Sequence, residues 1–249
     1  MDKVSIITPC HNSAPFVLET IKSISEQTFT NWEHILVDDA STDDTWQIIQ
    51  KYCSSEPRAK CFRLTKNSGA ALARNMAIEA AQGRYIAFID SDDLWMPEKL
   101  EKQIEFMRYK NAYLSFSSYE KINEYGVRSG RMVDVPNEVN YNEILKGCVI
   151  GCLTAMYDSK YLGKVYMPDI RRGQDYGLWL RILRRGHIAY GLNCPLALYR
   201  ERSGSISSSK FKKAYSQWRI YRNIEKLSLI CSLKNFFFYS YKGFKKKII

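Results

Sequence analysis

Short apolar runs and stretches of helical spacing take turns along the first ninety residues. Val4-Ser5-Ile6-Ile7-Thr8, ended by Pro9, predicts a strand, and His34-Ile35-Leu36-Val37, ending at Asp38-Asp39, predicts a second. Lys60-Cys61-Phe62-Arg63-Leu64 and Tyr85-Ile86-Ala87-Phe88-Ile89 predict two more. Between them, residues 15–27 put Phe16, Val17, Ile21 and Ile24 on one side of a helix. Ser41-Thr42-Asp43-Asp44 reads as a capping box opening a helix to about Tyr52. Asn67-Ser68-Gly69 turns the chain into an alanine-rich helix over 70–81, stopped by Gly83. Continuous apolar strands alternating with helices imply an α/β fold whose sheet is mostly parallel and covered on both faces.

Beyond Pro97 the pattern predicts a helix to about Tyr109, a strand over 112–119 and another over 149–157. Residues 120–146 read as excursions with a short helix. A helix over 175–185 turns Leu178, Trp179, Ile182 and Leu183 inward, followed by a short strand over 188–192 and the apolar stretch Ala197-Leu198-Tyr199. No repeat and no Gly/Ser linker divides the chain, so one domain over 1–209 with a tail over 210–249 is the simplest organisation.

Composition narrows the class. An apolar content of 45% in 249 residues supports a large core rather than a disordered or fibrous chain. No basic region followed by a long apolar stretch opens the sequence, and no run of about 18 apolar residues suits a spanning helix. Seven cysteines, an odd number without C-x-x-C, read as free thiols of a reducing compartment, and Cys148 with Cys152 lacks a second ligand pair for zinc. Net charge is +11, but positions 1–199 balance at 24 basic and 24 acidic residues; from Arg200 onward 13 Lys/Arg face only Glu201 and Glu225. That asymmetry suggests docking on an anionic surface.

The chemistry concentrates at the predicted strand ends. Ligands of parallel sheets bind at the carboxyl ends of the strands, and Thr8-Pro9, Asp38-Asp39 and Asp90-Ser91-Asp92-Asp93 all fall there. Three carboxylates at one strand end repel, so a hard divalent cation with oxygen ligands is the natural partner, its remaining positions suiting substrate phosphates. The competing reading is a solvated acidic turn capping the helix that follows Pro97.

Taken in order, Val4-Ser5-Ile6-Ile7-Thr8-Pro9-Cys10-His11-Asn12, Val37-Asp38-Asp39-Ala40-Ser41-Thr42-Asp43, Asn67-Ser68-Gly69, Ala73-Arg74-Asn75, the segment from Gly83 to Asp93, and Gln174-Asp175-Tyr176-Gly177-Leu178-Trp179-Leu180-Arg181 resemble family 2 glycosyltransferases. The likeness runs to about Ser207 and implies the GT-A fold, with a nucleotide-binding half at 1–95 and an acceptor-binding half at 96–209. It implies an inverting, metal-dependent transferase moving a sugar from a nucleotide-diphosphate donor, with a UDP-sugar expected. The acceptor would be a hydroxyl of a saccharide or lipid-linked saccharide, in bacterial surface polysaccharide synthesis. By the same likeness Asp39 meets the base or ribose, and Thr8, Pro9 and Asn12 line the base pocket. His11 stands where tyrosine is frequent. Asn67, Arg74 and Ser91 border the nucleotide and its phosphates. Asp92 is the metal ligand, with Asp90 nearer ribose or metal-bound water, and the cation is Mn2+ or Mg2+. Asp175 is the catalytic base; as an isolated residue it reads equally as a helix-starting acid favoured by the macrodipole. Arg202 stands where many members carry histidine, which transfers the expected role from titration to a forked diphosphate contact. The Ser/Gly-rich stretch after it suits a lid, or a plain exposed basic loop.

The tail mixes Lys/Arg with Phe211, Trp218, Tyr221, Phe236, Phe237, Phe238, Tyr239, Tyr241 and Phe244, a pattern for an interfacial segment on anionic lipid. Ile220 and Leu227 lie off its apolar stripe, as residues packing back on the body would. The expected location is cytoplasmic, peripheral on the inner face of the cell membrane. A basic aromatic tail also admits nucleic acid, but no motif for it is present; a non-catalytic nucleotide-sugar binding module is the other alternative.

Overall fold

Residue-by-residue register explains why the distant acidic segments meet. The structure, a computed structural model, describes residues 2–202 and 210–245, with the side chains of 210–212 and 242–245 left out. The Ser/Gly segment expected to act as a lid, the side chains of Phe211 and Phe244, and the terminal lysines at 246 and 247 lie outside these described residues.

The first half runs β1 (Val4–Cys10), α1 (Val17–Ser25), β2 (Trp32–Asp38), α2 (Thr45–Ser55), β3 (Ala59–Arg63), α3 (Ala70–Ala80) and β4 (Tyr85–Phe88). Its strands lie in the order β3-β2-β1-β4, all parallel. Cys10 pairs with Asp38 and Ile7 with Phe88, so the chain leaves β1, β2 and β4 at one edge. Alternate residues serve opposite faces. Ile7, Ile35, Val37, Ile86 and Phe88 join one core with α3, while Val4, Ile6, Tyr85 and Ala87 join the other. α2 begins at Thr45 without a capping box; Asp43 instead accepts from Thr45 N at 3.1 Å and Thr45 Oγ1 at 2.6 Å.

The second half adds β5 (Leu94–Trp95), α4 (Lys99–Lys110), β6 (Leu114–Ile122), β7 (Arg128–Val133), β8 (Glu138–Val139), α5 (Tyr141–Leu145), β9 (Met156–Asp158), α6 (Ser159–Leu162), α7 (Gln174–Leu183) and β10 (Ala189–Arg200). The sheet continues β4-β9-β6-β10-β5, and only β6 and β10 pair in parallel there. β9 is antiparallel to both β4 and β6, so β4, β6 and β10 still end at the same edge. Two expectations change. The strand expected over 149–157 shrinks to three residues because Cys152–Thr154 forms a 3-10 turn, whose Thr154 carbonyl accepts from Lys99 Nζ and Gln103 Nε2. The separate stretches near 190 and 198 are one strand, with register shifts on both sides of Pro195; a bulge is where a strand tolerates a residue without an N–H donor.

The basic tail forms α8 (Lys210–Arg219), a π-helical turn at Ile220–Ile224 and α9 (Leu229–Lys245). Ile220 and Tyr221 are buried in the core beside α7, and Leu227 and Phe236 pack against it. The tail is therefore partly body. The outer side of α9 exposes Ile230, Leu233, Phe237 and Tyr241.

Candidate active site

At the shared sheet edge a cleft of about 420 Å3 opens between the two halves. One wall carries Pro9, Asp39, Arg74, Asp90, Ser91 and Asp92; Asp175 and Arg202 complete it from the other half. Asp92 and Asp175, 83 positions apart in the chain, thus face one space.

Each acid of the first wall is fastened. Asp39 accepts from Ser68 N at 2.6 Å and Gly69 N at 2.8 Å, the amides that lead into α3. Each carboxylate oxygen has a second lone pair, so this grip orients the group without exhausting it. Asp38 turns inward and shapes the bend, accepting from Ser41 N and from Arg63 Nε, both at 3.1 Å. Asp90 is ion-paired with the buried Arg74, whose Nε and Nη1 are buried without a partner. Asp92 meets Arg202 at 2.6 Å. Burial first, and then the neighbouring Asp90, push its pKa above the ordinary carboxylate range. Asp93 is buried, well raised by desolvation and by Asp92, and accepts from Arg200 N at 2.8 Å.

Arg200 is the fastener between the halves. Its side chain is fully buried and donates to Asp92 O at 2.7 Å, Glu124 O at 2.9 Å and Glu19 Oε2 at 2.7 Å. β5 pairs with β10 through Trp95 and Ala197, which brings the acidic loop beside this arginine.

Asp175 lies in the first turn of α7, where the helix macrodipole favours an anion. Trp179 anchors that helix, fully buried with its ring edge-on to Phe88 of β4 at 5.8 Å. Gly177 lets the helix approach closely: a Cβ there would sit 2.4 Å from Pro168 Cγ. Desolvation raises the Asp175 pKa, and Arg74 and the Tyr176 amide only partly oppose it. A carboxylate so placed is a good proton acceptor.

Three expected site residues are not brought to the cleft lining. Thr8 is buried, with Oγ1 2.9 Å from His34 Nε2. Asn12 is exposed, and its Oδ1 accepts from Thr42 N at 2.9 Å. Asn67 contacts the His11 ring at 3.0 Å, and it is His11 that reaches the cleft. Conversely, Cys152, Arg171, Arg172, Tyr199 and Lys213 line the cleft without having been singled out for it. The dibasic pair Arg171-Arg172, one glycine ahead of Gln174-Asp175, was the available signal for two of them.

The donor set suits a divalent cation. Asp90 and Asp92 offer hard oxygens from side chains 35% and 18% exposed. Among the described residues no group of three or more His, Cys, Asp or Glu is arranged to hold a metal alone. A cation here would complete its shell from water and phosphate oxygens, as Mg2+ and its like do with one or two carboxylates.

The glycosyl transferase family 2 profile matches residues 5–160. The chain is 43% identical over 245 residues to the putative teichuronic acid biosynthesis glycosyltransferase TuaG of Bacillus subtilis, covering 98% of this chain and 97% of TuaG. The chain belongs to glycosyl transferase family 2. This glycosyltransferase is also 39% identical, over 90% of its length and 87% of the relative's, to WfaP of Escherichia coli, a UDP-Glc:alpha-D-GlcNAc-diphosphoundecaprenol beta-1,3-glucosyltransferase. Its fold matches the crystal structure of S. aureus TarS 1-349 in complex with UDP-GlcNAc, with a TM-score of 0.74, 22% identity, and coverage of 98% of this chain and 73% of that one. The mixed sheet with helices on both faces is thus the GT-A arrangement that the motifs imply.

Proposed function

We propose that this glycosyltransferase moves a sugar with inversion from a UDP-sugar to a hydroxyl of a saccharide or lipid-linked saccharide during bacterial surface polysaccharide synthesis. One observation carries the reading: Asp90 and Asp92 on one side and Asp175 on the other line a single cleft. Asp39 would receive hydrogen bonds from the base or ribose, with Pro9 and His11 beside it. Asp92 and Asp90 would hold Mn2+ or Mg2+, which when bound supplies Lewis-acid stabilisation to the departing diphosphate. Arg202 would leave Asp92 to fork onto the phosphates, and Arg74, with two unpartnered N–H groups, would hold Asp90 in place. Asp175 takes the proton of the acceptor hydroxyl as its oxygen bonds to the anomeric carbon and the bond to the diphosphate breaks. One such displacement inverts the centre and needs no second carboxylate, unlike glycoside hydrolysis. WfaP's UDP-Glc donor and lipid-linked acceptor support both substrate classes.

The same reading puts the enzyme on an anionic membrane surface through α9. No helix among the described residues is long and apolar enough to cross a membrane. The exposed stripe of Ile230, Leu233, Phe237 and Tyr241 runs beside Lys234, and Glu225, the nearest acid along the chain, is buried. That combination suits an interfacial helix.

A panel of UDP-sugars and saccharide acceptors, assayed with and without Mn2+, tests the function. Transfer that requires Asp175 is the expected result; transfer undiminished in Asp175→Asn would overturn the base assignment. Cosedimentation with phosphatidylglycerol vesicles, lost in an Ile230→Ser/Phe237→Ser variant, tests the membrane contact.

A further inference from the structure

Arg172 borders three adjoining cavities. It lines the cleft described above, a second space of about 440 Å3 and a small one of about 90 Å3. The second space shares Arg172, Gly173, Asp175 and Lys213 with the cleft, so Asp175 stands where the two meet. Its walls include Tyr119, Tyr176, Gln217 and Tyr239, aromatic faces and an amide suited to a sugar ring. Two of these, Gln217 and Tyr239, come from the C-terminal helices.

The small space is of another kind. Arg171, Arg172 and Arg219 line it with Ser216 and Asn223 over a floor of Ile170, Ile220 and Ile224. Among the described residues no carboxylate lines it. None of the three guanidiniums is ion-paired with a carboxylate among the described residues, whereas Arg58, Arg63, Arg74, Arg84, Arg200 and Arg202 all are. Arg172 Nη1 is buried without a hydrogen-bond partner. A buried unpaired donor on a cation is costly, and an anion removes that cost. The volume corresponds to about three waters at ~30 Å3 each, room for a phosphate group and too little for a hexose. Ile220 of its floor is closely packed from outside: a Cβ on Gly173, which has φ of +73° and lines the other two spaces, would lie 2.8 Å from Ile220 Cδ1.

We propose that this arginine pocket holds the phosphate end of the acceptor, a saccharide 1-diphosphate whose sugar occupies the second space with a hydroxyl toward Asp175. The small pocket and the second space share Arg172, Ser216 and Ile220, so one ligand can span both. The proposal rests on the transferase reading above and adds what the acceptor must carry. It also gives α8 and the π-helical turn a part in acceptor choice.

Two arms test it on the full chain. In the first, methylenediphosphonate is titrated into protein saturated with UDP, so that the nucleotide cleft is filled. Wild type should bind it, Arg171→Gln and Arg219→Gln should each weaken it at least tenfold, and Arg219→Gln, whose side chain lies outside the cleft lining, should keep its UDP affinity within twofold. No binding, or equal binding by the variants, overturns the pocket. Variants that lose phosphatidylglycerol vesicles but keep the diphosphonate overturn it too, since the arginines would then serve a lipid headgroup. In the second arm, hexose and N-acetylhexosamine diphosphate lipids are compared with the matching alkyl glycosides. Wild type should prefer a diphosphate member at least tenfold in kcat/KM, and Arg219→Gln should erase the preference through acceptor KM. Equal use of both acceptor kinds overturns the proposal while leaving the transferase reading intact. Failure of UDP itself to bind removes the UDP-sugar donor reading instead.

Discussion

The two sides of the cleft are held in opposite ways. On the sheet side every carboxylate is gripped: Asp39 by two main-chain amides, Asp90 by Arg74, Asp92 by Arg202, and Asp93 by the Arg200 amide. On the far side Asp175 has no ion pair among the described residues, and the guanidiniums of Arg171 and Arg172 are likewise unpaired. On the proposed reading the first wall is charge-paired before the donor arrives, with Arg202 alone moving from Asp92 to the phosphates. The second leaves Asp175, Arg171 and Arg172 without ion pairs among the described residues, which on the proposed reading suits an acceptor of more variable chemistry. Preorganised groups cost no rearrangement when charge develops, while uncommitted ones let acceptor contacts be made at binding.

The sharpest way to break this contrast is Asp175→Asn. It should lower kcat by about 10²–10⁴-fold, the range for loss of a general base, with UDP affinity unchanged. In wild type the acid limb of the rate should lie above the ordinary Asp value of 3.8, because burial raises the folded pKa and the base works only when ionised. A limb at or below that value would remove Asp175 from the role. Next in size, Asp92→Ala should cost on the order of 100-fold in turnover and abolish the extra thermal stabilisation that Mn2+ gives to the UDP complex. Full metal-dependent stabilisation in that variant would place the cation elsewhere.

The stiffness of the sheet side has a pH signature. His34 is buried beside Thr8 and Tyr52, and desolvation lowers its pKa to about 3. Unfolded, it titrates near 6.5 and binds the proton that the folded form refuses, so stability falls as pH drops from 6.5 toward 3. By pH 5 the loss should be about 2 kcal/mol. Chemical denaturation at pH 7 and pH 5 reads it directly, and a His34→Gln variant should flatten that slope. Smallest of the four, Asp39→Asn should weaken UDP about tenfold, the worth of one hydrogen bond to a charged group, equally with and without metal.

The sheet side was also the more legible in the sequence. Parallel strands covered on both faces announce themselves as apolar runs, and their carboxyl ends collect whatever polar residues follow them. Asp39, Asp90 and Asp92 could therefore be placed on one rim from spacing and family likeness. Period-two alternation explains the miss at Thr8: it shares the face of Ile6, and its hydroxyl is spent on His34. Asn12 is spent on the neighbouring turn, where it has a φ of +46°. The far side was harder to read because its pieces come from 120–220 and meet only in three dimensions. The 3-10 turn before β9, the bulged β10 around Pro195 and the burial of Ile220 and Tyr221 all depend on contacts that no local pattern encodes. Ile220 and Leu227, off the apolar stripe of the tail, were its visible trace.

Arg200 carries a consequence for recombination between relatives. Its partners lie on α1 and the acidic loop, which a crossover near position 95 would part from it, and in the turn after β6, which would stay with it. A chimera that joins one enzyme's donor half to another's acceptor half would strand a fully buried guanidinium unless Glu19, Asp93 and Arg200 travel as a set. Swapping sugar specificity between such enzymes should therefore succeed by grafting single cleft residues more readily than by exchanging whole halves.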